Sequence, residues 1–107
     1  MGFIEVHVTF PDMESAKEVT GHLLRSRLIA CVNLIPIASA YWWKGSIEET
    51  REVLAVLKTR KGNWRRLKAE VGRMHIYDIP GIVRIDVESN APYEKWVNDE
   101  TGSNTAP

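Results

Sequence analysis

Residues 30–60 read ACVNLIPIASAYWWKGSIEETREVLAVLKTR, and this stretch decides the fold. Two runs rich in β-branched and aromatic residues, which suit β-strands, flank the pair Lys44-Gly45. Glycine tolerates the positive φ that tight hairpin turns require, so this pair predicts the turn of one long β-hairpin. Pro36 has no backbone N–H to donate, which predicts a bulge or an edge position in the first arm.

The predicted hairpin is unusually long and carries a tryptophan on each face, although its return arm starts polar from Ser46 to Glu52. Each arm is roughly twice the usual strand length of about 5–6 residues. The neighbouring residues Trp42 and Trp43 point to opposite faces of a strand, and a buried aromatic removes about 150–250 Å² from water. A chain of 107 residues has few other elements to cover both faces, so we expect other copies of the chain to do so. The predicted oligomer interface contains Tyr41, Trp42, Trp43 and Trp96.

The elements on either side of the hairpin predict an α+β domain. Alternation of apolar and polar residues indicates strands, and apolar residues three or four apart indicate helices. The predicted order is a ferredoxin-like split β-α-β-β-α-β with a long β2-β3 hairpin and a short C-terminal helix. The elements outside the hairpin are strands at Phe3–Phe10 and Ile82–Val87 and helices at about Met13–Ser26, from Trp64 to Met74, and after Ser89-Asn90.

Helix caps and domain limits follow from the same pattern. We expect Asp12 to cap the first helix, in which Ser15 and Glu18 also have capping-box spacing. Asn63 is the expected cap of the second helix. Two helices would cover one face of a four-stranded antiparallel sheet and leave the other face bare. We expect a single domain over residues 1–100 and a flexible C-terminal tail over residues 101–107.

The composition excludes several classes of protein. The 14 basic and 14 acidic residues balance, so no net charge attracts nucleic acid or an anionic membrane. No apolar run approaches the roughly 18 residues that cross a bilayer, and the N-terminus lacks the pattern of a signal peptide. Cys31 is the single cysteine, which excludes an internal disulfide and favours a cytoplasmic location. The strand Ile82–Val87 has none of the aromatic residues that an RNA-binding sheet of this layout requires.

No catalytic motif is present, so we expect a protein without enzymatic turnover. Cys31 lies in a predicted inner strand and is either a small buried hydrophobe or a soft ligand for copper(I) or zinc. His75 either caps the end of the second helix or binds metal through a neutral imidazole. Glu88 is a carboxylate available to the same site, whereas His7 and His22 are expected to be solvated or packed.

A basic cluster also has two interpretations. Five cations in and just before the second predicted helix could meet phosphate, or form a solvated helix face that acidic residues balance elsewhere. We favour the solvated face. The cluster consists of Arg60, Lys61, Arg65, Arg66 and Lys68.

Several of these residues together resemble the CutA divalent-cation tolerance proteins, over nearly the whole chain. The matching positions are Cys31-Val32-Asn33, Pro36, Tyr41-Trp42-Trp43, Gly45, Glu52, Lys58-Thr59, His75-x-Tyr77-x-x-Pro80 and Trp96. The resemblance implies a ferredoxin-like subunit that forms a tight homotrimer through its long hairpin. It also implies a small cytosolic protein associated with tolerance to copper and other divalent cations, with metal binding linked to residues of the kind at Cys31 and His75.

Two positions depart from the family pattern. Ile76 stands where the family usually has proline, and Gly81 stands where it commonly has glutamate, which removes a possible oxygen ligand. The leading hypothesis is therefore a homotrimer that binds or responds to divalent metal ions, with copper as the expected metal and no obligatory cofactor. The alternative is a trimeric signalling or scaffold module that binds a small anionic ligand or a protein in clefts between subunits.

Overall fold

A computed structural model describes residues 2–102 of the chain. It contains one four-stranded antiparallel sheet in the order β2-β3-β1-β4 and three helices, which confirms the predicted α+β, ferredoxin-like layout. The elements are β1 (Phe3–Phe10), α1 (Met13–Arg25), β2 (Cys31–Trp43), β3 (Ser46–Thr59), a short 3-10 helix (Lys61–Asn63), α2 (Trp64–Met74), β4 (Ile82–Val87) and α3 (Ala91–Glu100).

The long hairpin forms as predicted. Its strands of 13 and 14 residues pair without interruption from Cys31 opposite Lys58 to Trp43 opposite Ser46. Lys44 and Gly45 have φ values of 51° and 86°, the two positive values of a type I′ turn, whose twist matches that of the paired strands. Pro36 makes no bulge because β2 lies at the edge of the sheet, where one side of the strand needs no donor.

The hydrophobic core lies between one face of the sheet and the helices α1 and α2. The residues of β1 that face it are at most 1% exposed, and Leu23 of α1 and Leu67 of α2 are fully buried against them. Burying such a side chain contributes about 1.5–3 kcal/mol, so β1 at the centre of the core anchors both neighbouring strands. The β1 core residues are Ile4, Val6, Val8 and Phe10.

The second face of the sheet is not wholly bare, which corrects one prediction. The helix α3 lies across one end of it, where the Tyr93 ring meets the Phe3 ring edge-on at 5.9 Å and Val97 is fully buried. The other end of this face stays open, with Ile35 44% exposed and Val83 56% exposed. Cover for that open end must come from outside the described part of the chain.

The helix caps are partly as predicted. Asp12 caps α1, because its Oδ1 accepts the Ser15 backbone N–H at 2.8 Å. Asn63 occupies the predicted N-cap position of α2, but its side chain makes no cap hydrogen bond. Its buried side chain instead donates to Thr59 Oγ1 at 2.9 Å and to the carbonyl oxygen of Thr101 at 3.0 Å. Asn63 therefore joins the end of β3 to the end of α3.

Thr101, the first residue of the predicted tail, packs against the domain. Thr101 is fully buried, and its hydroxyl donates to the Val97 carbonyl oxygen at 2.7 Å, so this residue belongs to the folded domain. The rest of the predicted tail from residue 103 onward lies outside the described residues. Among residues 2–102, no helix has the length and apolar character needed to span a bilayer.

Candidate functional site

His75 is held by both of its ring nitrogens at the end of α2. Nε2 lies 2.7 Å from the Thr9 carbonyl oxygen, which only accepts, and Nδ1 lies 3.1 Å from the Tyr77 backbone N–H, which only donates. The ring is therefore neutral, with its proton on Nε2. The imidazole also stacks on the Phe10 ring at 4.5 Å. His75 occupies the predicted C-cap position as well, since its backbone N–H bonds the Val71 carbonyl oxygen.

Tyr77 joins the segment after α2 to the long hairpin. Its hydroxyl donates to Glu52 Oε2 at 2.6 Å, and Glu52 is only 8% exposed. Burial of the phenol raises the pKa of Tyr77, and the hydrogen bond to Glu52 raises it further. The phenol therefore remains protonated at physiological pH and keeps donating to the carboxylate. This hydrogen bond places the segment from His75 to Tyr77 against the sheet end of the hairpin.

Cys31 forms a second polar cluster under α3. It is half-buried, and its Sγ lies 3.6 Å from the Tyr93 hydroxyl. Lys58, directly opposite Cys31 in the sheet, donates to Asn33 Oδ1 at 3.0 Å and lies 5.8 Å from the centre of the Tyr93 ring. Burial raises the pKa of Tyr93, and the hydrogen bond with Cys31 adds to that effect. The prediction that Cys31 lies in an inner strand is wrong, because β2 is an edge strand.

The three predicted metal ligands do not meet within one chain. Cys31 lies level with Glu5 of β1, whereas His75 bonds Thr9, about 13 Å further along that strand at roughly 3.3 Å per residue. Glu88 follows β4 beside Gly2, at the other end of β1 from His75. Residues 2–102 contain no group of three or more His, Cys, Asp or Glu side chains placed to hold a metal ion. The metal assignment to Cys31, His75 and Glu88 stays a prediction that requires ligands from another copy.

The predicted interface aromatics are largely uncovered in a single chain. Trp42 is 72% exposed, Trp43 37%, Tyr41 42% and Trp96 41%. Ile47, opposite Trp42 in the hairpin, is 59% exposed. The far half of the hairpin is therefore a two-stranded ribbon with exposed aromatic residues, and it extends beyond the hydrophobic core. A two-stranded ribbon with nothing packed against it is only marginally stable in water.

The remaining histidines are paired with carboxylates, which the sequence did not reveal. His7 Nε2 lies 3.1 Å from Glu5 Oε1, two residues away on the same face of β1. His22 of α1 lies 2.6 Å from Glu70 Oε2 of α2, and Arg73 also binds Glu70. The Arg73 and His22 bonds lower the pKa of Glu70 to about 2. The bond between His22 and Glu70 links the two core helices. The sequence pattern does not predict it, because the two residues are 48 positions apart.

The fold and the protruding hairpin define a class: ferredoxin-like proteins whose β2-β3 hairpin extends past the body of the subunit. The chain belongs to the CutA1 divalent ion tolerance protein family, whose model matches residues 4–100, and this confirms the resemblance seen in the sequence.

Individual relatives agree with that membership. The divalent-cation tolerance protein CutA of Pyrococcus horikoshii is 52% identical over 99 residues, which are 92% of this chain and 97% of the relative. The crystal structure of CutA1 from Pyrococcus horikoshii aligns with a TM-score of 0.90 at 50% identity and covers 94% of this chain and 99% of that one. The periplasmic divalent cation tolerance protein CutA of Archaeoglobus fulgidus aligns with a TM-score of 0.90 at 33% identity, with the same coverage of both chains.

Proposed function

We propose that this protein is a cytosolic homotrimer without enzymatic turnover that contributes to tolerance of divalent cations by binding copper. The exposed hairpin is the observation that carries the proposal. Both arms are regular to the turn, yet Trp42 at the tip is 72% exposed and Ile47 beside it is 59% exposed. An apolar surface of this kind on a soluble protein marks an interaction site.

A ring of three copies would cover the open edges of the sheet as well as the exposed hairpin. Both edge strands, β2 and β4, present unpaired backbone groups, and β2 is long and regular. Such an edge promotes uncontrolled pairing unless another strand covers it. In a closed ring, each copy binds one neighbour through one of its surfaces and the other neighbour through a second surface. The same contact therefore repeats around the ring and leaves no edge open. Light scattering coupled to size exclusion tests this arrangement. Three times the chain mass of 12.2 kDa supports it, and a monomer at micromolar concentration refutes it.

Cys31 is the leading copper ligand. A thiolate prefers copper(I) among biological metals, and the edge position of β2 leaves this thiol near the surface that a neighbouring copy would cover. Among residues 2–102 the side-chain hydrogen-bond partner of the thiol is the Tyr93 phenol, so other ligands must come from outside this cluster. His75 could serve only after it gives up its bond to Thr9 or to Tyr77.

Calorimetric titration with copper tests the metal assignment. We expect binding to weaken in Cys31→Ala and, to a smaller extent, in His75→Ala and Glu88→Gln. His7→Ala is a matched control, because it removes an imidazole outside the predicted site. Affinity should fall on acidification, because thiol and imidazole ligands must be deprotonated to bind metal. Unchanged copper binding in all three site variants would refute these ligands.

The contacts of Cys31 and His75 support a binding role rather than a catalytic one. Cys31 contacts a tyrosine, and His75 is occupied by backbone groups, so these two residues do not form a nucleophile and base pair. A free thiol also suits the reducing cytosol. A thermal-shift screen with copper, zinc, nucleotides and phosphate separates this function from the alternative. Stabilisation by nucleotide or phosphate, with none by metal, would favour the trimeric signalling or scaffold module.

A further inference from the structure

The start of α2 carries four cations that the proposed function leaves without a role. They fall within residues 61–68, which contain no acidic residue, and all four are exposed. None takes part in the ion pairs found among residues 2–102. The favoured interpretation of the sequence, a solvated helix face balanced elsewhere, does not explain this concentration. We call these residues the basic strip: Lys61, Arg65, Arg66 and Lys68.

The basic strip lies where it costs the helix stability. The N-terminus of a helix is the positive end of its dipole, which favours acidic residues and disfavours cations. The first helix follows this rule with Asp12 and Glu14, whereas the first turn of α2 has no acidic residue. Arg65 and Lys68 are also three residues apart, a spacing at which like charges repel. Proteins break local rules of this kind mainly at functional sites.

The strip is also held in a defined shape. Lys68 lies one turn after Trp64 and Arg65 in α2, and Lys61 lies in the 3-10 helix that leads into it. The Lys68 ammonium lies 5.0 Å from the centre of the half-buried Trp64 ring, and the Arg84 guanidinium lies 5.9 Å from it. Residues 61–68 of the 3-10 helix and α2 together extend about 10–12 Å, which sets the length of the cationic surface.

The carboxylates near this surface are already paired with other cations: Glu70 of α2 bonds His22 and Arg73, and Asp86 bonds Arg84. Arg84 Nε donates to Asp86 Oδ1 at 2.7 Å, and this bond, with a smaller contribution from Lys61, lowers the pKa of Asp86. Asp86 therefore stays ionised and bound to Arg84. It leaves the four charges of the basic strip available to an external anion.

The net charge of the chain outside the basic strip favours a short anionic partner over an extended one. Outside residues 61–68 the chain holds 10 of its 14 basic and all 14 of its acidic residues, a net charge of −4. A nucleic acid or an anionic membrane extends well past a strip of about 10 Å, so it would also meet the rest of a chain that carries this net negative charge. Trp64 is engaged by two cations, so α2 offers no free ring for base stacking.

We propose that the basic strip is a docking surface for a short acidic segment of a partner protein. Three or four carboxylates spaced over about 10 Å match its length and charge. Each such pair at an exposed surface is weak, so useful affinity requires several pairs together or several strips in one assembly. This surface is separate from the hairpin and from Cys31, and its failure would leave the proposed function intact.

Fluorescence anisotropy with a labelled peptide of eight glutamates tests this proposal at 50 mM and 200 mM salt. We expect saturable binding at 50 mM salt that weakens strongly at 200 mM. The variant R65E/K68E should bind at least tenfold more weakly. The matched control K17E/R25E reverses two exposed, unpaired cations on α1 and should change binding by less than twofold.

A second measurement separates lost binding from lost structure. R65E/K68E places acidic residues near the start of α2, so its thermal midpoint should equal or exceed that of the parent. The milder variant R65Q/K68Q replaces it if the charge reversal does not fold. Three results would overturn the proposal: no peptide binding by the parent, equal weakening in the strip and control variants, or tighter binding of duplex DNA or phosphatidylserine vesicles through the same residues.

Discussion

Removing the Tyr77 hydroxyl should destabilise the protein through Glu52. In Tyr77→Phe the ring and its contact with His75 remain, and only the 2.6 Å hydrogen bond to Glu52 Oε2 is lost. A hydrogen bond to a charged group contributes about 1.5–3 kcal/mol, and Glu52, only 8% exposed, has little water to replace it. We therefore expect a loss of about 2 kcal/mol.

Guanidinium unfolding at fixed protein concentration measures this loss. With a slope of roughly 4 kcal/mol per molar, the midpoint should fall by about 0.5 M. A double-mutant cycle with Glu52→Met isolates the pair, because methionine has a similar length and needs no hydrogen bond. The coupling energy should also be about 2 kcal/mol. A coupling energy within about 0.5 kcal/mol of zero, which is the limit of additivity, would show that the hydrogen bond does not hold the segment after α2 to the hairpin.

Three further variants test other parts of the structure. Trp43→Ala should lower the denaturation midpoint more than Cys31→Ala, because truncating an aromatic that becomes buried costs about 3–5 kcal/mol, and equal shifts would count against a packed hairpin. Asn63→Ala removes the bonds to Thr59 and Thr101 and should cost about 2–3 kcal/mol in urea unfolding; a change below about 0.5 kcal/mol would refute its role as the link to α3. Because the pKa of Glu70 is lowered to about 2, its stabilising contribution is complete above its unfolded pKa near 4.5 and declines as the pH falls towards 2. The difference in unfolding midpoint between the parent and Glu70→Gln should therefore shrink over that range, and a difference that grows on acidification would contradict the assignment.

Local patterns were sufficient to predict the strands. The alternation in Phe3–Phe10 and Ile82–Val87 places both strands at the observed bounds, and Lys44-Gly45 gives the turn of the hairpin. These features depend on residues next to one another in the chain. Steric preference and side-chain alternation act at that range, so the sequence alone carries the information.

Features that depend on distant contacts were missed or misplaced. Asn63 was assigned as a cap because of its position, but its partner Thr101 is 38 residues away. Cys31 was placed in an inner strand because apolar periodicity does not encode strand order. For the candidate site, the sequence singled out His75 from its place after the second helix, but Glu52 and Tyr77 only through the family resemblance. Their joint network depends on Tyr77 meeting a residue 25 positions earlier.

Native mass spectrometry during a copper titration tests the central claim most directly, because it reports assembly and metal binding in one spectrum. We predict a species of three 12.2 kDa chains that gains copper, and loss of that copper without loss of the trimer in Cys31→Ala. A monomer, or a trimer that binds copper equally well without Cys31, would contradict the account.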